Sequence, residues 1–290
     1  MTRETSILME GLTFGEGPRW HGGKFYFSDF YSHKVFSLDM DGNYELIVEV
    51  QGQPSGLGWM PDGTMLIVSM KDRKLLSFKN NKLSEVADLS HLAGFHCNDM
   101  VVDDEGNAYV GNFGFNTYSG EEMRTANLIL IRPGQAPCIA ADDLLFPNGT
   151  VITPDGKTLI IGETYAARLT AFDINEDATL SNRRVWADLT LNAEEGNVPV
   201  PDGICLDAEG AIWVASPTTA NVIRVEEGGE ILDRISVETN AYACMLGGED
   251  LKTLFICTSN ASGINPEAAI KEKSGKIEVV KVDVPGAGKP

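Results

Sequence analysis

The sequence predicts an all-β protein, a six-bladed β-propeller whose four-stranded antiparallel blades surround a central channel. One phrase recurs along the chain: a small or polar pair, a few apolar residues, a tight turn of the Asp-Gly kind, and an alternating strand. Successive copies begin 39 to 54 residues apart, a spacing typical of propeller blades. Convincing helical periodicity is almost absent from the 290 residues. We therefore expect residues 1–290 to form a single propeller domain.

The copies of the phrase predict the blades in order. The clearest copy runs from Ser55-Gly56-Leu57-Gly58-Trp59 through Pro61-Asp62-Gly63 into the strand Met65-Leu66-Ile67-Val68. Turns of this kind supply the positive φ that tight β-hairpins need, so each one marks a connection between two strands. The matching turns in later copies are Glu105-Gly106-Asn107, Pro154-Asp155-Gly156, Ala208-Glu209-Gly210 and, less regularly, Gly247-Gly248. A further alternating strand and a polar turn usually follow, which makes four strands per copy.

Two steps of the repeat are longer than the others, and inserted loops at residues 113–126 and 189–199 account for them. Loops on one face of a rigid scaffold commonly determine specificity. Short helical segments are predicted only at residues 89–93 and 266–273. A pair of β-sandwiches is the alternative architecture, but sandwiches need not repeat one phrase six times.

Charge and composition narrow the classes of partner. The chain has 42 acidic and 23 basic residues and a formal net charge of −19, with no basic cluster, so neither nucleic acid nor a membrane surface is expected to bind. No apolar run approaches the ~18 residues of a membrane span, and the start lacks a signal-peptide pattern, which predicts a cytoplasmic protein. The five cysteines are widely spaced and are predicted to be buried free thiols. A small neutral ligand or a cation fits this composition best.

The first position of each copy is expected to face the channel, because the innermost strands of all blades line it. We call these six positions the channel ring; they are Glu16, Ser55, Asn98, Asn148, Asp202 and Tyr242. Two carboxylates that converge without a counter-ion would repel each other, so a cation is expected there. The donors are carboxylate and amide oxygens, which suit Ca²⁺, Mg²⁺ or Mn²⁺, with Zn²⁺ less favoured. So few protein ligands would leave coordination positions open for water or a substrate carbonyl.

Four motifs of the ring resemble a known family. Glu16-Gly17-Pro18, Cys97-Asn98-Asp99, Pro147-Asn148-Gly149 and Pro201-Asp202-Gly203 are similar, in this order, to motifs of the senescence marker protein/regucalcin and gluconolactonase family. The resemblance extends from about residue 12 to residue 282, and it implies a six-bladed propeller that hydrolyses lactones with one divalent cation. It implies that Glu16, Asn148 and Asp202 bind the cation, that Asp202 also serves as general base, and that Asn98 contacts the substrate.

The third blade departs from this family pattern. Sugar-lactone members resemble Arg-x-Asn-Asp where this chain has His96-Cys97-Asn98-Asp99, so the resemblance does not imply an aldonolactone substrate. His96 lies two residues before Asn98, and on an extended segment its side chain would face the same cavity. There a neutral imidazole could relay a proton or bind a substrate oxygen, with a structural role as the alternative. Aromatic residues near the third and fourth copies are candidates for a more apolar pocket: Phe95, Phe113, Phe115, Tyr118 and Tyr165.

These observations favour a metal-dependent hydrolase of lactones or esters. The cation, Ca²⁺ by first preference, would polarise the carbonyl group while an activated water attacks it. No Gly-x-Ser-x-Gly motif is present, so no nucleophilic serine is indicated. A phosphotriesterase at the same site and a non-catalytic cation- or ligand-binding propeller remain alternatives. A protein-binding propeller of the WD-repeat kind is disfavoured, because its Trp-Asp signature is missing.

Overall fold

The computed structural model describes residues 3–193, 196–263 and 265–290. Its strands form six four-stranded antiparallel sheets within these ranges, which confirms the predicted propeller and its blade size. The first half of the chain contains β1 Ser6–Leu12, β2 Gly15–His21, β3 Lys24–Asp29, β4 Lys34–Leu38, β5 Tyr44–Glu49, β6 Pro54–Trp59, β7 Met65–Ser69, β8 Lys74–Lys79, β9 Lys82–Asp88, β10 Cys97–Val102, β11 Ala108–Asn112 and β12 Ala126–Ile131.

The second half of the chain completes the sheets. Its strands are β13 Cys138–Leu144, β14 Pro147–Ile152, β15 Thr158–Glu163, β16 Arg168–Ile174, β17 Leu180–Asp188, β18 Ile204–Leu206, β19 Ile212–Ser216, β20 Asn221–Val225, β21 Ile231–Ser236, β22 Asn240–Gly247, β23 Thr253–Ser259 and β24 Gly275–Lys281. Blades 1 to 5 each take four consecutive strands from β2 onward, and blade 6 has the order β1-β24-β23-β22. Strand β1 therefore closes the ring by pairing with β24 from the other end of the chain.

Helical segments are few and short within the described ranges. They are 3-10 turns at Phe30–Ser32, Thr164–Ala166 and Leu189–Asn192, and one α-helix, α1, at Pro266–Glu272. The predicted helix at 266–273 is confirmed, and the Asn265 side chain caps it by accepting a hydrogen bond from Ala268 N. The segment 89–93 forms a hydrogen-bonded turn instead of a helix. No helix within the described ranges is long and apolar enough to cross a membrane.

The inserted loops take the positions predicted for them between strands. Residues 113–125 connect β11 to β12. The second loop, 189–199, includes residues 194 and 195, which lie outside the described residues, and its first part forms the 3-10 turn at Leu189–Asn192. The first loop lies at the end of the propeller where the inner strands begin.

Large apolar side chains fill the spaces between and within the blades. Phe25 of blade 1 stacks on Phe255 of blade 6 with ring centroids 4.4 Å apart, and Trp213 of blade 5 is fully buried in the same cluster. Four cysteines are buried free thiols as predicted, whereas Cys138 is half-buried. At the far end of the channel the C-terminal segment crosses between blades, because Lys289 pairs with Ile152 and Gly286 pairs with Asp207.

Glycine lets the inner strands come close to one another at the channel ring. The residue after the ring position is glycine in four of the six copies. A Cβ on Gly17 would lie 2.6 Å from the Ser55 carbonyl oxygen, and a Cβ on Gly149 would lie 2.5 Å from the Asp202 carbonyl oxygen. The strand register shifts at the same place in four blades, and such bulges re-aim side chains. Close approach and bulges together direct the ring side chains toward one axis.

Gly149→Ala is expected to lower the free energy of unfolding by about 1–3 kcal/mol, because overpacking of this size forces the backbone to move. Gly15→Ala is the matched control, since its added Cβ would meet only side-chain atoms at 3.5 Å or more. Urea denaturation of both variants measures the difference. Equal stability of the two variants would contradict the close approach of blades 4 and 5.

Candidate metal and substrate site

Hydrogen bonds link four positions of the channel ring from blade 2 to blade 5. Ser55 Oγ donates to Asn98 Oδ1 over 3.3 Å, and Asn98 Nδ2 donates to Asn148 Oδ1 over 3.0 Å. Asn148 Nδ2 in turn donates to Asp202 Oδ1 over 2.5 Å. The structure therefore brings together Asn98, Asn148 and Asp202, which the sequence predicted as site residues.

The carboxylates of the ring influence each other electrostatically. Burial raises the pKa of Glu16 well above its usual value, and the charge of Asp202 raises it further. Burial likewise raises the pKa of Asp202, and the charge of Asp99 adds to this effect, while the hydrogen bond from Asn148 opposes it. Both ring carboxylates keep a partly exposed surface in the channel. Glu16 Oε2 accepts a hydrogen bond from Gly17 N over 3.0 Å, and Glu16 is not part of the bonded chain that links Ser55, Asn98, Asn148 and Asp202.

An ion pair lies beside the ring in the channel. Arg19 Nη2 donates to Asp99 Oδ1 over 2.7 Å, and both side chains are less than one-tenth exposed. The guanidinium also donates to the carbonyl oxygens of Pro18, Leu57 and Met100. Arg19 therefore joins the inner strands of blades 1, 2 and 3 and pairs with Asp99. Among the described residues, neither Glu16 nor Asp202 forms an ion pair with a cationic side chain.

The donor set of the ring fits a hard divalent cation. Two carboxylates and neighbouring amide oxygens are the ligands that Ca²⁺, Mg²⁺ and Mn²⁺ prefer. A bound cation would offset the burial that raises the pKa of both carboxylates and the Asp202 charge that further raises the pKa of Glu16. Within the described ranges no cluster of three or more His, Cys, Asp or Glu side chains is arranged to hold a metal. A cation at the ring therefore also needs an amide oxygen. Asn148 would supply Oδ1, which accepts from Asn98 Nδ2, while its Nδ2 faces Asp202.

A second set of buried polar residues anchors the loops around the ring. Each stands at the end of the second strand of its blade, and the bonded members are Asp29, Asn112, Glu163, Ser216 and Ser259. Asp29 accepts from Phe14 N over 2.7 Å, and Glu163 accepts from Leu145 N over 2.8 Å. Burial works to raise the pKa of Glu163, but bonds from Arg168, Thr170 and Leu145 outweigh it and lower the pKa. These anchors hold the segments that lead into the inner strands.

Aromatic side chains pack together at the end of the channel where the inner strands begin. We call the following set the aromatic cluster: Phe14, Phe30, Tyr31, Phe95, Phe113, Tyr118, Phe146 and Tyr242. Phe14 contacts Tyr242 with ring centroids 4.5 Å apart, and Phe113 contacts Phe146 at 4.6 Å. The charge of Glu16 contributes to the raised pKa of Tyr31, after burial and Tyr118. The cluster therefore lies within electrostatic reach of the ring.

The structure places His96 in this aromatic environment. Its ring stacks on Phe95 with centroids 4.0 Å apart and lies 5.7 Å from the Tyr118 ring. Burial lowers the pKa of His96 to about 4, with a contribution from Lys71 and Arg73, so the imidazole is neutral near pH 7. The buried Nδ1 has no hydrogen-bond partner among the described residues. His96 thus borders the cluster, and no bond in the described part of the chain joins it to the ring.

Sequence reasoning missed Arg19, the anchors Asn112, Ser216 and Ser259, and the aromatic residues Phe14, Phe30 and Tyr31 of blade 1. Arg19 follows the first ring position by three residues, but the repeated phrase carries no signal that it reaches Asp99 in blade 3. A wide groove of about 930 Å³ lies elsewhere, between the turn at 103–107, the turn at 153–158 and Lys289. This groove is at the far end of the inner strands from the ring, and its lining is mainly polar turn residues.

The fold and the ring define a six-bladed propeller with a carboxylate–amide site at one end of its channel. A family model described as the SMP-30/gluconolactonase/LRE-like region matches residues 14–260. The match covers most of the chain, so the protein belongs to this family, as the motifs of the ring predicted.

Individual relatives are similar along nearly their whole length. The chain is 24% identical to a 6-deoxy-6-sulfogluconolactonase of Pseudomonas putida, with 98% of this chain and 96% of that one covered. It is 23% identical to a pentonolactonase of Haloferax volcanii, over 99% and 96% of the two chains. Among solved structures, a calcium-binding protein, regucalcin, from Agrobacterium tumefaciens has a TM-score of 0.82 at 21% identity, covering 100% and 97%. The structural likeness supports the same fold.

Proposed function

We propose that this protein hydrolyses lactones at the channel ring, with a divalent cation held by Glu16, Asn148 and Asp202. The observation that carries the proposal is the chain of hydrogen bonds that joins Asn98, Asn148 and Asp202 in the channel ring, with the carboxylate of Glu16 at the equivalent position of blade 1. Family membership supports the reaction class, since the relatives from Pseudomonas putida and Haloferax volcanii both carry lactonase names.

Ca²⁺ is the cation we propose first, with Mg²⁺, Mn²⁺ and Zn²⁺ as alternatives. Oxygen-only ligands favour hard cations, and Ca²⁺ tolerates irregular arrangements of them. The solved relative from Agrobacterium tumefaciens is called a calcium-binding protein, which supports the same choice. Bound at the ring, such a cation would polarise the lactone carbonyl and stabilise the negative charge that develops on its oxygen.

The residues of the ring have distinct roles in this proposal. Asp202 accepts the proton of the attacking water, and the 2.5 Å hydrogen bond from Asn148 Nδ2 fixes the orientation of its carboxylate. Asn148 is held in turn, because its Nδ2 also contacts Thr164 Oγ1 at 3.2 Å and its Oδ1 accepts from Asn98. Asn98 contacts the substrate. His96 borders the substrate pocket from the aromatic cluster.

Lactones, simple esters and a phosphotriester, each assayed with added Ca²⁺, Mn²⁺, Mg²⁺ or Zn²⁺, test the reaction class. The expected result is turnover of at least one lactone and little or no turnover of the phosphotriester. A preference for the phosphotriester would make the protein a phosphotriesterase. Binding of a cation without turnover of any substrate would favour a non-catalytic propeller.

The remaining expectations concern the setting of the reaction. We infer that residues 1–290 act as one domain, because β1 and β24 close the same blade. We also propose a cytoplasmic protein that binds a small lactone or ester and has neither nucleic acid nor membrane as a partner, in keeping with its net charge of −19.

A further inference from the structure

We propose that the lactone substrate carries an aromatic or alkyl group, which binds in the aromatic cluster while the lactone carbonyl lies at the channel ring. This inference rests on the proposed function and names the substrate class of the same site. It differs from what the names of the two lactonase relatives describe, since both refer to sugar lactones.

The aromatic cluster lies at the same end of the channel as the channel ring. Its rings come from blades 1, 3, 4 and 6, at the end of the channel where the inner strands begin. The Tyr31 hydroxyl donates to the carbonyl oxygen of Gly263 in blade 6, and Phe113 contacts Phe146 with ring centroids 4.6 Å apart. Aromatic side chains from several blades therefore lie at the same end of the channel as the channel ring.

Part of the aromatic surface near the channel ring is exposed. Phe14, Phe113 and Phe146 are buried and form its support, whereas Phe95 and Tyr118 are partly exposed. Tyr165 extends the wall beyond the cluster: it is 44% exposed, and its ring contacts Phe146 at 4.9 Å. Thr164, the residue before it, accepts a hydrogen bond from Asn148 Nδ2 over 3.2 Å and donates to the carbonyl oxygen of Pro201, so the exposed Tyr165 stands next to the channel ring.

The chemistry of these surfaces decides between substrate classes. Each hydroxyl of a sugar lactone loses hydrogen bonds to water when it is buried and needs a partner in the protein. Rings of Phe95, Tyr118 and Tyr165 offer hydrocarbon faces and few donors or acceptors. A flat or alkyl substituent loses nothing there and is stabilised by burial of its apolar surface. The wall therefore favours an apolar lactone over a polyhydroxylated one.

Four lactones with the same six-membered ring test this inference: dihydrocoumarin, δ-decalactone, δ-valerolactone and D-glucono-1,5-lactone. The value of kcat/KM for each is divided by its rate of spontaneous hydrolysis, which removes differences in intrinsic reactivity. We expect dihydrocoumarin and δ-decalactone to exceed unsubstituted δ-valerolactone by about tenfold or more. We expect D-glucono-1,5-lactone to be no better than δ-valerolactone.

A pair of variants ties the preference to the wall. Tyr165→Ala should lower kcat/KM for dihydrocoumarin by about tenfold more than kcat/KM for δ-valerolactone, which has no group to bind there. Tyr44→Ala is the control, because Tyr44 is 58% exposed on an outer strand of blade 1 and should change neither value. A preference for D-glucono-1,5-lactone over both apolar lactones would overturn the inference and leave the proposed function intact. Failure to hydrolyse any lactone would overturn both.

Discussion

Asp202→Asn is expected to lower kcat/KM for lactone hydrolysis by about a thousandfold or more, with the propeller still folded. The amide removes one of the two negative charges that would hold the cation, and it cannot accept the proton of the attacking water. Its oxygen can still accept the hydrogen bond that Asn148 Nδ2 makes to Asp202 Oδ1, so the local structure has no reason to collapse. Hydrolysis rates and circular dichroism on the same preparation measure both effects.

Asp104→Asn is the matched control for that variant. Asp104 is also an aspartate, but its side chain is 88% exposed and pairs with Lys289 at the other end of the channel. It should retain the activity of the unaltered protein within about twofold, as surface substitutions generally do. Full activity of Asp202→Asn would show that the ring is not the catalytic centre.

Arg19→Met is expected to lower the free energy of unfolding by about 3–5 kcal/mol, the usual cost of leaving one partner of a buried ion pair alone. The guanidinium makes bonds in three blades, and its loss leaves the charge of Asp99 buried near Glu16 and Asp202. Urea denaturation with a fitted midpoint and slope measures the loss.

A double variant separates the buried charge from the lost packing. Arg19→Met combined with Asp99→Asn removes both charges, so it should be more stable than Arg19→Met alone. If Arg19→Met unfolds at the same urea concentration as the unaltered protein, the ion pair contributes nothing and the proposed role of Arg19 is wrong.

The sequence predicted the blades because the repeated phrase is local. A ring residue, apolar neighbours and an Asp-Gly turn stand within about fifteen positions of one another, as the hairpin geometry of adjacent strands requires. The pairing of β1 with β24 has no such signal, since the two strands come from opposite ends of the chain. The closure of the propeller by β1 and β24 could therefore not be predicted from a local sequence pattern.

The site was predictable to the extent that it follows the repeat. Equivalent positions in successive blades converge on the axis of the channel. The sequence therefore predicted that Asn98, Asn148 and Asp202 lie together, and the hydrogen bonds between them agree. The aromatic residues of blades 3 and 4 were foreseen as a candidate pocket. Phe14 was not foreseen, because its contact with the channel-ring residue Tyr242 joins blades 1 and 6, where the propeller closes.

The role of His96 stays a prediction, because alternation places its side chain without specifying what the imidazole contacts. A strict two-residue period would turn its side chain to the same side as Asn98. The register between β10 and β11 shifts after Cys97. The imidazole of His96 stacks on Phe95 and makes no bond to the channel-ring residues within the described ranges. Bulges of this kind depend on contacts with neighbouring strands, which one strand's own sequence does not specify.

The most direct test of the proposed cation site is whether lactone hydrolysis depends on a bound cation. Protein freed of metal with a chelator would be titrated with Ca²⁺, and bound Ca²⁺ and hydrolysis rate would be measured on the same samples. We expect no lactone turnover without the cation. Activity should recover in proportion to a single bound Ca²⁺ ion, which the Asp202→Asn variant should fail to bind. Undiminished hydrolysis by the metal-free protein would contradict the assignment of Glu16, Asn148 and Asp202 as a catalytic cation site.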